Sequence, residues 1–461
     1  MKTRLTHLWD SVNSSLWFIP ALMTIITVGA SFATITLDGA VKERLASEIG
    51  WIWGGGPDGA REILSTIAGS MITVAGVVFS ITVVVLTLAS SQFGPRLLRN
   101  FMRDKGNQVV LGTFISTFTY CLLVLRTIRS DGTGEEFVPH ISVTIGIVLA
   151  LASLAVLIYF IHHVSISIQA PIIIARVADE LDRGIERMFP EKLGEDVKED
   201  TEPDRRDLPP ETQGHPVPSG ASGYLQAIDT NGLMELAEAK DLLIRLEYRP
   251  GQFIVKGNNL LLIWSKQPVD ESLVGKVNGL FFLGPERTEE QDVEFSVHQL
   301  VEVGVRALSP GINDPFTAMT CVDRLGEALS RLAERELPSK YRYDEGHKLR
   351  VIAKGTTFAD VADAALNQMR QYGRSSASVT LRLLESLAVV AQHVRRDEDG
   401  AAVLHHAGMI ERGSREALTE PHDRDAVEER YGKVLEALRE NRSLIHTRLM
   451  ETSLFDRARD G

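Results

Sequence analysis

The stretch ILSTIAGSMITVAGVVFSITVVVLTLASS, residues 63–91, contains no Asp, Glu, Lys or Arg. As a helix it would be about 43 Å long at the standard rise per residue, more than the roughly 30 Å of hydrocarbon in a bilayer. Core helices of soluble proteins rarely run so far without a charge, so the segment reads as a membrane span. Three more charge-free runs accompany it, Leu16–Leu37, Val109–Leu125 and Ile141–Ile161. The reading is therefore four spans, at about 16–37, 63–91, 109–128 and 141–163. Trp9, Trp17, Trp51, Trp53 and Tyr159 fall near span ends, where interfacial aromatics collect.

Outward from that segment, the loop after the second span carries Arg96, Arg99, Arg103 and Lys105, whereas SDGTGEEFVPH after the third span is acidic. The positive-inside rule places the basic loop in the cytoplasm, and with it both termini; Gly39–Glu62 and Ser130–His140 lie outside. Lys42, Arg44, Arg61, Arg126 and Arg129 on the other side weaken the asymmetry. The first fifteen residues, MKTRLTHLWDSVNSS, resemble the opening of a signal peptide, with small residues at Ala30–Ala33. The apolar stretch behind them is too long for a typical signal core, which favours a retained span.

The 461 residues leave room for one or two soluble units behind the spans. A formal net charge of −12 provides no basic surplus for phosphate backbones, which argues against a nucleic-acid partner. Two cysteines, Cys121 and Cys321, are too few for a disulfide framework or a Cys-based zinc site. No GxSxG, HExxH, Walker A, GxGxxG or CxxC pattern occurs, and WGGGPDG at residues 53–59 lacks the Lys and Ser/Thr of a phosphate loop. An enzyme is unsupported on these grounds, and no cofactor or metal is expected.

Past Pro171 the apolar residues Ile174, Val177, Leu181, Ile185 and Met188 recur at helical spacing, predicting that the fourth span continues as an amphipathic helix over 176–189. Residues 190–222 are rich in Pro and acid and read as a linker. From 223 to 285 the strings LIRLEY, QFIV and LLLIW, punctuated by RPG and KGNN, predict a small antiparallel β unit with one helix. From 286 to 461 the expectation is helical: Thr288–Ala307, Pro315–Glu336, Phe358–Tyr372, Ser378–Arg395, Ala401–Ala417 and Arg424–Met450, with one strand at Lys348–Ala353. The fold class is thus an α-helical membrane protein with four transmembrane helices and a cytosolic α+β domain.

Three strings, FSITVVVLTLASSQFGPRLLRNF at 79–101, GYLQAID at 223–229 and RTEEQDVEFSVHQLVEVGVRALSPGINDPFTA at 287–318, resemble the signatures of a bacterial family of predicted membrane proteins, domain of unknown function 2254. The resemblance runs along nearly the whole chain in matching order. It implies a four-span bacterial membrane protein with a cytoplasmic C-terminal region, and brings no activity or catalytic residues; the expected location is the inner membrane.

Within the second span, Thr66, Ser70, Thr73, Ser80, Thr87 and Ser91 share one helix face, completed by Val77 and Val84. In a homo-oligomer such a stripe could line a hydrated pore for an ion or small solute, with the valines as constrictions that gate by dewetting. The alternative is that Ser, Thr, Gly69, Gly76, Ala68 and Ala75 let helices pack closely. As an inner mouth the basic loop would concentrate anions, although topology alone explains it. Coupled transport normally needs an intramembrane acid or histidine, and only His162 and His163 come near.

In the soluble part, SPGINDPFTA at 309–318 reads as a turn feeding a helix, with Asp314 as cap and Pro315 at the first helical position. Arg306, Asn313 and Asp314 are the ligand candidates there. The acidic run Glu286, Glu289, Glu290, Asp292 and Glu294 reads as a helix start and solvated face, and His405 with His406 as a weak metal pair. The leading expectation is an oligomeric channel lined by the second span and regulated by the cytosolic domain. The other is a membrane-anchored sensor or scaffold.

Overall fold

A computed structural model describes residues 15, 17–40, 52–97, 101–102, 104–129, 137–189 and 208–459, with side chains to residue 442. The chain divides into two compact units, 1–172 and 173–461.

Among its described residues the first unit holds four helices long and apolar enough to cross a membrane: α1 (Phe18–Ala40), α2 (Pro57–Phe93), α3 (Lys105–Leu125) and α4 (His140–Ser167). α2 starts with Pro57, whose fixed φ and missing N–H suit a first turn, and ends at Gly94, whose φ of 112° is open to glycine but not to a side chain. α3 is the centre, packed by α1, α2 and α4. Two apolar clusters hold it there. One joins Leu64 and Ala68 to Tyr120, Cys121, Val124 and Val143; the other joins Ala75, Val78 and Val85 to Val110, Phe114, Phe160 and Val164. Small residues set the spacing: a Cβ on Gly112 would lie 3.2 Å from the Pro20 Cα, and one on Gly146 would lie 3.0 Å from a Leu64 methyl.

The continuous fourth helix expected past Pro171 is instead two helices. α4 stops at Ser167, Ile168 and Gln169 turn, and α5 begins at Ala170 and runs to Met188. Pro171 has no N–H to donate and would crowd the carbonyl a turn earlier, so the ladder breaks before it. The apolar face of α5, Ile173, Ile174, Val177, Leu181 and Ile185, is buried, and Asp182 pairs with Arg331 at 3.0 Å within the second unit.

The second unit is α+β. Its first part comprises β1 (His215–Pro218), β2 (Gly223–Ile228), α6 (Thr230–Ala239), β3 (Leu243–Leu246), β4 (Phe253–Ile254), β5 (Asn259–Trp264), α7 (Glu271–Asn278) and β6 (Phe281–Gly284). It continues with α8 (Val293–Ala307), α9 (Pro315–Glu334), β7 (Tyr341–Tyr343), β8 (Leu349–Ile352), α10 (Phe358–Gly373), α11 (Ala377–His393), α12 (Asp397–Ala417) and α13 (Pro421–Arg459). One sheet runs β1-β5-β3-β8-β7 and a smaller one β4-β2-β6. Leu225, Ile244, Leu261 and Ile263, all fully buried, belong to one apolar core.

Several expectations change here. The region 190–222 is not all linker: 190–207 lies outside the described residues, but HPVP forms β1, with Val217 buried. Prolines are tolerated there because β1 is an edge strand, bonded only to β5. The β region holds two helices rather than one, α7 being capped by Asp270, which accepts the Leu273 N–H. The pairing is not wholly antiparallel either, since β3 and β8 run parallel, Ile244 opposite Val351. The first helix after Pro285 begins at Val293, not Thr288, because Asp292 is held by Arg287 rather than turning into the helix.

Candidate functional site: the exposed face of α2

At 37 residues α2 is about 55 Å long, and its two faces differ in chemistry. The buried face is Ala60, Leu64, Ala68, Ala75, Val78, Val85, Ala89 and Phe93. Thr66, Ser70, Thr73, Val77, Ser80, Val84, Thr87 and Ser91 are all exposed, pointing away from the subunit's own bundle. Gly69 and Gly76 flank them on the same side, and a Cβ built on either meets nothing within 4 Å. Among the described residues, no neighbouring helix therefore requires a glycine at either position. Beside the stripe runs an exposed apolar sector including Ile72, Phe79 and Val83.

Five of the six hydroxyls are locally satisfied. Ser70 donates to the Thr66 carbonyl at 2.7 Å, Thr73 to Gly69 at 2.8 Å, Ser80 to Gly76 at 2.9 Å, Thr87 to Val83 at 2.9 Å and Ser91 to Leu88 at 2.9 Å. This back-bonding allows a hydroxyl to sit in an apolar environment with its proton used. α4 buries its Ser and Thr hydroxyls apart from Ser165. Ser142, Thr144, Ser153 and Ser167 are buried, and Val148, Leu151, Leu154, Ile158 and Ile161 are exposed. Ser153 meets Thr117 of α3 at 3.0 Å in the interior.

Polar ties close the bundle at both ends. Asp38, in the last turn of α1, accepts the Ile141 and Ser142 N–H groups at 2.8 and 2.9 Å and the Ser142 hydroxyl at 2.6 Å, capping α4 from another helix. At the opposite end Asp104 caps α3 through the Gly106 N–H and lies 3.0 Å from His163 Nε2. His163 is thus engaged with a cap.

The hydroxyl register also extends further than the span. Glu62 and Asp58 lie one and two turns before Thr66 at spacings of four, and both are exposed. Asp58 is near Arg61, at 3.9 Å. These two carboxylates share the spacing of the hydroxyls but precede the charge-free segment, so a search confined to that segment does not reach them. Of the basic residues, Arg96 sits in a 3₁₀ turn after Gly94 and Lys105 opens α3, whereas Arg99 and Arg103 lie outside the described residues.

In the second unit the SPGINDPFTA loop is satisfied from within. Asn313 adopts a left-handed φ of 49°, and the Asp314 N–H donates to the Ala307 carbonyl at 2.7 Å. The Asp314 carboxylate accepts the Phe316 and Thr317 N–H groups and the Thr317 hydroxyl, and the hydroxyl bond leads in holding its pKa below the ordinary value. Arg306 reaches Glu302 at 3.6 Å. Arg306 and Asp314 thus have side-chain partners of their own, and the Asn313 N–H donates to the Ser309 carbonyl at 2.8 Å.

The acidic run is not all a solvated face. Arg287 binds Asp292 at 2.7 Å, and Arg249, from the turn after β3, binds Glu294 at 2.7 Å and the Thr356 hydroxyl at 2.7 Å. Burial raises the pKa values of Asp292 and Glu294 despite these arginines. The histidine pair splits: His405 is exposed, while His406 is buried 3.2 Å from Asp363, with burial lowering its pKa. Among the described residues, no three His, Cys, Asp or Glu side chains converge as a metal set.

A family model described as predicted membrane protein (DUF2254) matches residues 13–389. An uncharacterized protein of Mycobacterium tuberculosis (strain ATCC 25618 / H37Rv) is 32% identical over 431 residues, covering 93% of this chain and 81% of the relative. An uncharacterized protein of Mycobacterium bovis matches to the same extent. No solved structure matches the chain. The long charge-free α2, its three apolar companions and these matches lead to one statement of kinship: the chain belongs to the DUF2254 family of predicted membrane proteins.

Proposed function

We propose that the protein is an oligomeric ion or small-solute pore of the inner membrane, lined by α2 and regulated by its second unit on the cytoplasmic side. The observation that carries this reading is the inversion between α2 and α4. A helix that only faces lipid or its own bundle gains most by exposing large apolar groups and burying hydroxyls, as α4 does. α2 exposes hydroxyls in continuous register instead, beside two glycines with open space around them. Subunits meeting around an axis would use the glycines for close approach and turn the hydroxyls to water. Val77 and Val84, more than half exposed, then form apolar rings suited to dewetting. Asp38 and Asp104 brace the bundle and take no part in the path.

The test is the assembly and conductance of the full-length protein in lipid. A symmetric oligomer that passes current above protein-free bilayers is expected; a monomer, or silent bilayers containing the protein, would sink the reading. A scaffold reading has one observation in its favour. The family-like loop exposes Ile312 and Phe316, the latter 75% exposed, as a docking protein would. It predicts silent bilayers together with a partner lost on Phe316→Asp.

A further inference from the structure

Resting on the pore reading, we infer that the α2 face is selective for cations, because four hydroxyl oxygens along it have no proton left to offer. Ser70, Thr73, Ser80 and Thr87 each donate their single hydroxyl proton to a backbone carbonyl one turn earlier, at 2.7 to 2.9 Å. A carbonyl cannot donate, so the direction of these bonds is fixed by chemistry. What remains on each Oγ is lone-pair density. A permeating cation, or the water around it, is stabilised by such acceptors, whereas an anion needs donors.

A second observation has the same sign. Glu62 and Asp58 continue the hydroxyl face at the Pro57 end, with spacings of four and three along the whole stripe that average about 3.7, close to the 3.6 of a straight helix. In an oligomer each becomes a ring of carboxylates at the entrance, an arrangement that concentrates cations. From Ile63 to Phe93 the helix carries no Lys, Arg or His. Of the nearest cations, Arg61 lies 3.9 Å from Asp58, so Glu62 is the carboxylate on which the entrance charge chiefly rests. Arg61 donates to the Ile128 carbonyl at 3.2 Å, and Arg96 follows Gly94, where the helix has ended and its register with it. The substrate class is therefore a small monovalent or hydrated cation, not chloride, phosphate or a carboxylate.

The experiment measures reversal potentials of the full-length protein in planar bilayers under a KCl gradient, alongside Glu62→Gln and Glu62→Asp. Glu62 is exposed, so neither change disturbs packing. The expected result is a reversal displaced toward the potassium equilibrium potential, a several-fold fall in the cation-to-anion permeability ratio for Glu62→Gln, and recovery in Glu62→Asp. Current that reverses toward the chloride potential, or a ratio unmoved by Glu62→Gln, overturns cation selectivity while leaving the pore in place. No current from protein verified in the bilayer overturns the pore reading, and this inference with it.

Discussion

α2 and α4 are both long, apolar and close to the same central helix, and both expose large apolar residues, yet they place most of their hydroxyls in opposite senses. α4 turns Ser142, Ser153 and Ser167 inward and Leu151, Leu154 and Ile158 outward. α2 turns Ala68, Ala75 and Val78 inward and Thr73, Ser80 and Thr87 outward. Composition alone does not separate them. The difference is one of phase, and it shows that an apolar helix can have a face whose role lies beyond its own subunit.

The largest expected effect is in water access. Cys121 and Cys321 are buried, so introduced thiols should dominate labelling. Thr73→Cys or Ser80→Cys in native membranes should react with a charged, membrane-impermeant thiol reagent, and Leu154→Cys should not. Equal reactivity at α2 and α4 would break the comparison.

Bulk is the next lever. Nothing in the subunit lies within 4 Å of a Cβ at Gly76, so Gly76→Trp is expected to leave the bundle folded but abolish the oligomer in native gels. Leu154→Trp, on the exposed face of α4, should leave assembly unchanged. If both assemble normally, α2 faces lipid.

The smallest effect concerns the hydroxyls themselves. Thr117→Val removes the buried contact with Ser153 and should cost about 0.6 to 1 kcal/mol in thermal unfolding in detergent, typical of an interhelical hydrogen bond. Thr73→Val leaves no interhelical partner unpaired and should not shift the unfolding transition, although it should lower the current. A matching stability loss at Thr73 would mean that the stripe packs inside the fold.

Much of this was legible before any coordinates, because the physics involved is local. Asp314 capping a helix that begins with Pro315 follows from side-chain reach and a missing N–H. The break near Pro171 was equally local, and the expected continuous helix gave too little weight to what proline does to the residue before it. Glu62 and Asp58 were visible as the same spacing of four, once the register was followed past the charge-free segment.

Other features had no sequence signal to find. Asp38 caps α4 across 103 positions of chain, and β3 pairs with β8 more than a hundred residues away. Arg249 meets Glu294 only because a turn after one strand lands beside the start of α8. The sequence by itself determined that four helices are apolar enough to span a bilayer and that one of them carries hydroxyls in phase, since both depend on residue type and the 3.6-residue period alone. Only the tertiary structure decided which way that phase points. Both faces of α2 are rich in small residues, and the preference for one over the other comes from how well Ala68, Ala75 and Val78 fill the space against α3 and α4, a property of three helices at once.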